Sequence, residues 1–395
     1  MEKTEKMSSL RLLLVVGTAN DIFIYNMAKW LKATMDVELD VFEFWPAKQQ
    51  AYDSTCYDRL YSASKEGWAY RRPQASFTAA YATARQLRRF LKGRCYDIIH
   101  CHWLSAPAVL AADTIKRHCG KLFVTFWGGE LEQQQLLRSH GLYLRRLSRM
   151  VAMADAMVNS ETSRARYLKA FPQFKGTFFA ANLGSSPLES LYALMEKTPR
   201  EAVKRQWNIP EEKTSVLIGY SGKELHRHGM VIEAFRRHPE LAGRIHLLAP
   251  MTRSSDPAYV AGVEAALAAS GYSYTLVRDR FLTDGEMASL RYATDVVFQC
   301  SRFDGFSRSI IECLCARAIV CYGSWLDYEP YLKQYGFEAI RIDSAEEGVK
   351  KLVSVLQFRG MYDEMLERNS RRGRSHFLWS ECIGDWVDAY KTFMR

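Results

Sequence analysis

The chain has 395 residues, 48% of them hydrophobic and 25% charged, with a formal net charge of +10. This is the composition of a globular protein of two to three domains, not of a disordered or fibrous chain, and no run of 18 apolar residues is present to cross a membrane. The nine cysteines include no Cys-x-x-Cys pair, which excludes a zinc ribbon and predicts reduced thiols, as in a cytoplasm.

In chain order, the opening MEKTEKMSSLRLLLVVG has too short an apolar run for a signal peptide. RLLLVVG instead reads as a strand covered on both faces. Gly17-Thr18-Ala19-Asn20 is the turn after it, DIFIYNMAKWLKA the first helix and VELDVFEFW the second strand, a Rossmann-like βαβ opening without a full G-x-G-x-x-G. Gly17 stands at a βα turn that either approaches a diphosphate or acceptor or is a plain connection. Residues 47–75 read as a long loop or insertion. A helix over 76–93 leads to the strand YDIIHCHW, closed by His100 and His102. The strand Leu122–Phe126 runs into the turn Trp127-Gly128-Gly129-Glu130. His102 is either a site residue or a core histidine bonded to backbone; Glu130 is either a site residue or an N-terminal helix charge. AMVNSE reads as the last strand of this domain, and 184–200 as a connector.

The basic excess lies wholly in residues 1–200, with 28 Lys and Arg against 18 Asp and Glu; residues 201–395 balance at 26 each. It concentrates in ARQLRRFLKGR (Arg85, Arg88, Arg89, Lys92, Arg94) and LLRSHGLYLRRLSRM (Arg138, Arg145, Arg146, Arg149). Each is either the solvated face of an ordinary helix or a surface for an anionic membrane. No nucleic-acid motif accompanies these patches, so no nucleic-acid partner is expected.

The second half opens with the strand SVLIGYSG and the turn SGKELHRHG. The turn places Lys223, His226, Arg227 and His228 ahead of the helix MVIEAFRR; it is either an anion site or a solvated basic loop. RIHLLAP and YSYTLV are further strands. The loop Arg278–Thr283 precedes a helix capped by Thr283 or Asp284 together with Glu286. The strand DVVFQC then enters SRFDGFSRSIIECLCARAIVCYG, residues 301–323, a loop, a helix and a buried strand. Strand, glycine turn and helix N-terminus make an anion site, with the amides of Phe306, Ser307, Arg308 and Ser309 free for a phosphate. Asp304 and Glu312 add two carboxylates for hydroxyls, and phosphate with polyol is the chemistry of a sugar nucleotide. The alternative is a helix N-cap at Asp304 and a solvated Glu312. EAIRI is a late strand, and the tail from residue 376 is an aromatic amphipathic helix.

The 301–323 stretch resembles the donor-site signature of retaining glycosyltransferases of the GT-B fold, the family-4-like group. There an acidic residue, seven residues and a glutamate precede a short buried strand. The resemblance implies that Asp304 contacts the donor sugar and Glu312 the nucleotide ribose. Asp304 stands where the family usually has Glu, and Ala316-Arg317-Ala318 where it commonly has a glycine. SGKELHRHG is similar to the family's G-R-L-x-x-x-K-G element, whose two cations hold the donor pyrophosphate. Setting Gly222 and Gly229 on its glycines puts Lys223 and His228 at the cation positions, with Arg227 as the alternative to His228. His100-x-His102 and the Trp127–Glu130 turn resemble the H-x-H and T-x-H-G-x-E motifs, with Trp127 in the place of a histidine. Asp304, Glu130 and His102 are then the residues expected at the reacting centre, and the Arg280-Phe281-Leu282 loop is implied to read the nucleobase.

The resemblance covers nearly the whole chain and implies an α/β fold of two Rossmann-like domains facing a central cleft. Residues 1–185 would form the acceptor-side domain, 186–375 the nucleotide-sugar domain, and 376–395 a C-terminal helix crossing back to the first. The implied activity is retaining transfer of a sugar, hexosyl in type, from a nucleoside diphosphate sugar to a hydroxyl of a glycan or lipid-linked saccharide, as in polysaccharide biosynthesis. No Asp-x-Asp occurs, so no metal clamp of that kind is expected, and no cofactor. The expected location is cytoplasmic, peripheral on the inner membrane face. Two alternatives stand beside this: a nucleotide-sugar epimerase or phosphorylase of the same fold, and a non-catalytic scaffold at a membrane.

Overall fold

The computed structural model describes residues 9–19, 21–46, 54–64, 76–127, 130, 141–252, 256–278 and 280–393. Asn20, most of the 47–75 insertion, Gly128-Gly129, Arg138 and Arg253 lie outside them. The chain forms two units. One holds the residues up to Gly184 together with those from Trp379 onward; the other is Ser185–Leu378.

The first unit contains β1 (Leu10–Val16), α1 (Ile22–Thr34), β2 (Val37–Glu43), β3 (Arg59–Ser62), α2 (Ser76–Leu91), β4 (Tyr96–His102), α3 (Ala106–Leu110), α4 (Ala112–Arg117), β5 (Cys119–Thr125), α5 (Gly141–Met153), β6 (Ala156–Asn159), α6 (Glu161–Ala170) and β7 (Thr177–Ala180). Its parallel sheet has the order β3-β2-β1-β4-β5-β6-β7. Alternate residues of β1 feed two cores, Leu13 and Val15 one, Leu12, Leu14 and Val16 the other. That explains the unbroken apolar run, since both faces are covered by helices. Two strands depart from the sequence reading. β3 lies inside the segment read as a loop, and β7 follows the strand read as last. Both are four-residue strands at a sheet edge with no fully buried residue; β3, Arg-Leu-Tyr-Ser, carries no apolar run, and β7, Thr-Phe-Phe-Ala, carries only a short one.

The second unit contains α7 (Pro187–Lys197), α8 (Arg200–Gln206), β8 (Thr214–Ile218), α9 (His228–Arg236), β9 (Ile245–Pro250), α10 (Pro257–Ala268), β10 (Ser273–Val277), α11 (Asp284–Tyr292), β11 (Val296–Gln299), α12 (Arg308–Cys315), β12 (Ile319–Gly323), α13 (Glu329–Tyr335), β13 (Ile340–Ile342), α14 (Ala345–Gln357) and α15 (Asp363–Phe377). Its parallel sheet has the order β10-β9-β8-β11-β12-β13. The stretch read as a connector, 184–200, is thus mostly α7, with α8 starting at its last residue. α11 starts with a full capping box between Thr283 and Glu286, which settles the choice of cap. A buried ionic lock ties α8 under the sheet: Asp295 pairs with Arg200, Lys204 and Arg359 and accepts from the Ser215 amide.

The last helix, α16 (Trp379–Lys391), packs in the first unit. The Trp386 indole donates to the Asn182 carbonyl at 2.8 Å, and the Tyr390 hydroxyl pairs with His100 at 2.7 Å. In each sheet the strand order reverses once, between β1 and β4 and between β8 and β11. In open α/β sheets ligands bind past the carboxyl ends of the strands at such a reversal.

Candidate active site

At the β8–β11 reversal, Gly219 closes β8 with φ +67. A side chain there would drive its Cβ to 2.6 Å from the His228 ring, so the position needs glycine both for conformation and for space. Tyr220 follows, and its hydroxyl donates to Asp304 Oδ1 at 2.6 Å. Asp304 Oδ2 accepts from the Tyr328 hydroxyl and from the Ser307 amide, the latter at 3.1 Å. Burial and the neighbouring Asp304 carboxylate push both phenols well above the usual tyrosine range, so both remain donors. Asp304 thus caps the loop before α12 and is at the same time fixed by two phenols.

Behind Asp304 runs a directional chain of neutral groups. Ser221 Oγ meets His226 Nε2 at 2.8 Å, and His226 Nδ1 meets Ser301 Oγ at 2.7 Å. Ser301 donates to the Gln299 carbonyl oxygen, and the Gln299 amide donates to the Tyr328 hydroxyl. The donors assign the tautomer: Ser301 gives its proton to Gln299, so His226 carries hydrogen on Nδ1 and accepts from Ser221 on Nε2. Burial, then Lys223, lowers the His226 pKa to about 4, consistent with a neutral ring.

The structure changes several readings of this region. Because β8 ends at Ile218, the first side chain past the strand is Tyr220, not Lys223. Gly222 is buried, its amide on the Thr252 carbonyl, while Lys223 is exposed. His228 is fully buried, held by Tyr259 at 2.9 Å, and burial with His226 depresses its pKa to about 3. It carries no positive charge and is not a phosphate cation. Arg227, at φ +54, lies over the Trp325 ring at 5.7 Å, and Trp325 donates to the Ser301 carbonyl. Arg227 is therefore the loop cation that reaches the β11 end.

Glu312 is not a solvated helix residue. It is 6% exposed, accepts from Ser185 Oγ at 2.7 Å and pairs with Arg291 Nε at 3.2 Å. Arg291 was not singled out in sequence, although it stands on the buried stripe of α11 with Ala288 and Tyr292, where a cation is the anomaly that signals a role. Its Nη2 donates to Ser309 on the first turn of α12, and its buried Nη1 has no partner among the described residues. Phe306, at φ +60, turns its ring inward, stacked on Tyr331 at 5.2 Å. The Ser307 amide is taken by Asp304, and the Arg308 guanidinium covers Phe377 at 4.8 Å. In the base loop, Arg280 pairs with Glu286 and lines a cavity of about 530 Å³ with Trp207, Asn208, Thr275 and Ser289. Phe281 is exposed and Leu282 packs on the core.

At the β1–β4 reversal of the first unit lies a cavity of about 280 Å³ lined by Val16, Gly17, Thr18, Asp21, Ile24, His102, Trp103 and Trp127. Gly17 leaves room for Trp103, whose ring would otherwise come within 2.9 Å of a Cβ. Trp103 itself sits at φ +57, a costly conformation for a bulky residue and one that clusters at functional sites. His102 is 1% exposed and burial lowers its pKa to about 3. It is not bonded to backbone as a core histidine would be. Neither ring nitrogen has a partner among the described residues, and the same holds for the buried Trp127 indole nitrogen. Glu130, by contrast, is wholly buried and accepts from the amides of Leu104 and Trp127. It clamps the β4 and β5 loops together, and that use of its oxygens removes it from the reacting centre.

Residues 21–173 match the family model described as Glycosyltransferase Family 4. No curated protein matches the chain by sequence. Solved structures match its fold over nearly the full length of both partners. Sucrose-phosphate synthase from Thermosynechococcus elongatus does so at TM-score 0.72 and 12% identity, covering 97% of this chain and 98% of that one. A glycosyltransferase from Rickettsia africae gives 0.65 and 13%, covering 98% and 100%. HepE from Anabaena, in complex with UDP-glucose, gives 0.64 and 12%, covering 96% and 99%. The two doubly wound sheets and these full-length matches show the GT-B fold, and the match to the family model covers residues 21–173, most of the first unit.

Proposed function

We propose that the chain transfers a hexosyl group from a nucleoside diphosphate sugar to an acceptor hydroxyl, with retention at the anomeric carbon. One observation carries this reading: a carboxylate, Asp304, held by two phenols at the tip of α12, where the strand order reverses. A fixed acceptor of hydroxyl protons beside a helix N-terminus suits a sugar attached to a phosphate. The HepE structure contains UDP-glucose, so a UDP-hexose is the first donor to test.

Cleaving the sugar–phosphate bond builds positive charge at the anomeric carbon and negative charge on the departing diphosphate. Preorganised donors stabilise that leaving group. Here they are the first-turn amides of α12 and Arg227. The acceptor oxygen attacks the anomeric carbon on the face the phosphate leaves, and the hydroxyl proton passes to the departing phosphate oxygen. No protein base is then required, which fits a buried neutral His102 and a Glu130 spent on backbone amides. The acceptor is a glycan or lipid-linked saccharide, and the exposed Arg85 and Arg89 of α2, Lys92 just past its end, and Arg145 and Arg146 of α5 would hold the enzyme on an anionic surface. Among the described residues no helix is long and apolar enough to cross a membrane.

A second reading, a non-catalytic scaffold, draws support from the neutral His228 and from a tyrosine, not a cation, following β8. A thermal-shift panel of UDP-, GDP- and ADP-sugars separates the two. Ligand at a hundred times Kd stabilises by about 2.7 kcal/mol. The proposal expects one nucleotide class to raise Tm and Asp304→Ala to abolish turnover. Silence across the panel favours the scaffold.

A further inference from the structure

We infer that Trp325 is a positioning residue of the donor site: its indole ring holds the Arg227 guanidinium at the carboxyl end of β11, where the diphosphate of the donor needs a fixed cation. This rests on the glycosyltransferase reading above and names the residue through which its phosphate recognition works.

The loops after β8 and β11 are short of usable charge. A departing diphosphate calls for preorganised positive groups. The residue after Gly219 is a tyrosine, and Tyr220 is turned to Asp304. His228 is buried on Tyr259, Lys223 is exposed, and Arg302 is paired with Glu224 at 3.1 Å. Arg227 is the cation that remains. It is half-buried, and its side chain makes no capping bond to α9. Among the described residues its guanidinium meets no carboxylate; it lies over the Trp325 ring, 5.7 Å from the centroid. A ring face attracts a guanidinium without taking up its N–H groups. Those donors stay free for phosphate oxygens, where a carboxylate in the same place would have occupied them.

Both partners are held for this task. Trp325 donates through Nε1 to the Ser301 carbonyl at 2.6 Å, which ties the loop after β12 to the loop after β11. Its ring lies on Gly323, where a Cβ would come within 2.3 Å of it, so that glycine makes room for the indole. The Arg302 amide donates to the Leu225 carbonyl at 2.9 Å and joins the β8 loop to the same frame. The ring is 38% exposed, so it is not there to fill a core. Arg227 sits at φ +54, in the left-handed region that favours glycine. A long side chain kept there against that preference points to use, since such outliers cluster at ligand clamps.

Isothermal titration calorimetry of the full chain with UDP, GDP and ADP tests this. Trp325→Leu should weaken the diphosphate that binds the parent by about fivefold, the worth of one cation–π contact. Trp325→Phe, which keeps a ring face, should lose less. In an Arg227→Gln background Trp325→Leu should have no further effect, because a residue that acts through Arg227 has nothing left to position. A merely structural role predicts the opposite, the same loss with or without Arg227. No loss in Trp325→Leu, as large a loss in Trp325→Phe, or equal losses in the two backgrounds overturns the inference. If the leucine variant does not fold, Trp325→Phe takes its place in the comparison of backgrounds. A parent that binds none of the three diphosphates overturns the donor reading and this inference with it. A parent that binds one of them, and Trp325 variants that bind it equally well, overturn this inference alone.

Discussion

Replacing Glu312 by glutamine keeps the side chain's shape and removes one charge. Arg291, 1% exposed, then loses its only carboxylate among the described residues while its guanidinium stays buried. Breaking a buried pair from one side costs about 3–5 kcal/mol, because the remaining charge is left uncompensated. For a domain of this size that corresponds to a Tm drop of roughly 6–20 °C, at about 2–4 °C per kcal/mol. Replacing both partners, Glu312→Leu with Arg291→Met, should return stability to within about 1 kcal/mol of the parent, since burying the pair costs nearly what it gains. The exposed pair Arg236–Glu233 is the control, and breaking it is expected to change stability far less, because solvent screens both charges. Urea unfolding followed by tryptophan fluorescence, with m held constant across variants, measures all four. A Glu312→Gln loss below about 1 kcal/mol would refute a desolvated pair. The consequence for function is direct: lost turnover in a Glu312 variant reports stability first, whereas Asp304, only partly buried, can be altered with less damage to the fold.

Three further outcomes are expected. Burial opposes ionisation of Asp295, but Arg200, Lys204 and Arg359 outweigh it and hold its pKa at about 2 against 3.8; its stabilisation, about 2 kcal/mol, should be full above pH 4 and lost as pH falls toward 2. Asp295→Ala should abolish that part of the acid dependence, and an unchanged midpoint-against-pH curve counts against the lock. His238 lies between Glu240 and Glu346, and these bonds raise its pKa; its contribution is therefore full below the unfolded pKa and lost as pH rises through the folded one. His238→Gln should flatten the decline in stability from pH 6 to 9, and a parallel decline in both proteins rejects the assignment. Charge reversal at Arg85, Arg89, Arg145 and Arg146 should weaken binding to phosphatidylserine vesicles by about 1 kcal/mol per residue, more at low salt than at high; equal binding removes the membrane proposal. Arg88 is left out because its guanidinium donates to the Leu110 carbonyl.

Local pattern was enough to read most of the architecture. RLLLVVG, YDIIHCHW, RIHLLAP and DVVFQC are apolar at consecutive positions, without strict alternation, because each is a parallel strand covered on both faces, and the glycine turns and caps between them are equally local. The tip of α12 could be found in the same way, since its loop, cap and buried stripe occupy one short stretch. The edge strands β3 and β7 are not legible in the same way, because each is only four residues long and neither face of an edge strand has to be fully buried.

What the tertiary structure alone decided is the state of each polar side chain. Glu312 is set by Arg291, 21 residues away, Glu130 by Leu104, 26 away, and Asp304 by Tyr220, 84 away. A helix or strand is encoded by neighbours within a few positions, so the sequence by itself determined two doubly wound sheets and the loops where ligands sit. Whether a carboxylate or imidazole in those loops is charged, paired or left open depends on burial and on partners from distant segments, and only the folded chain brings those together.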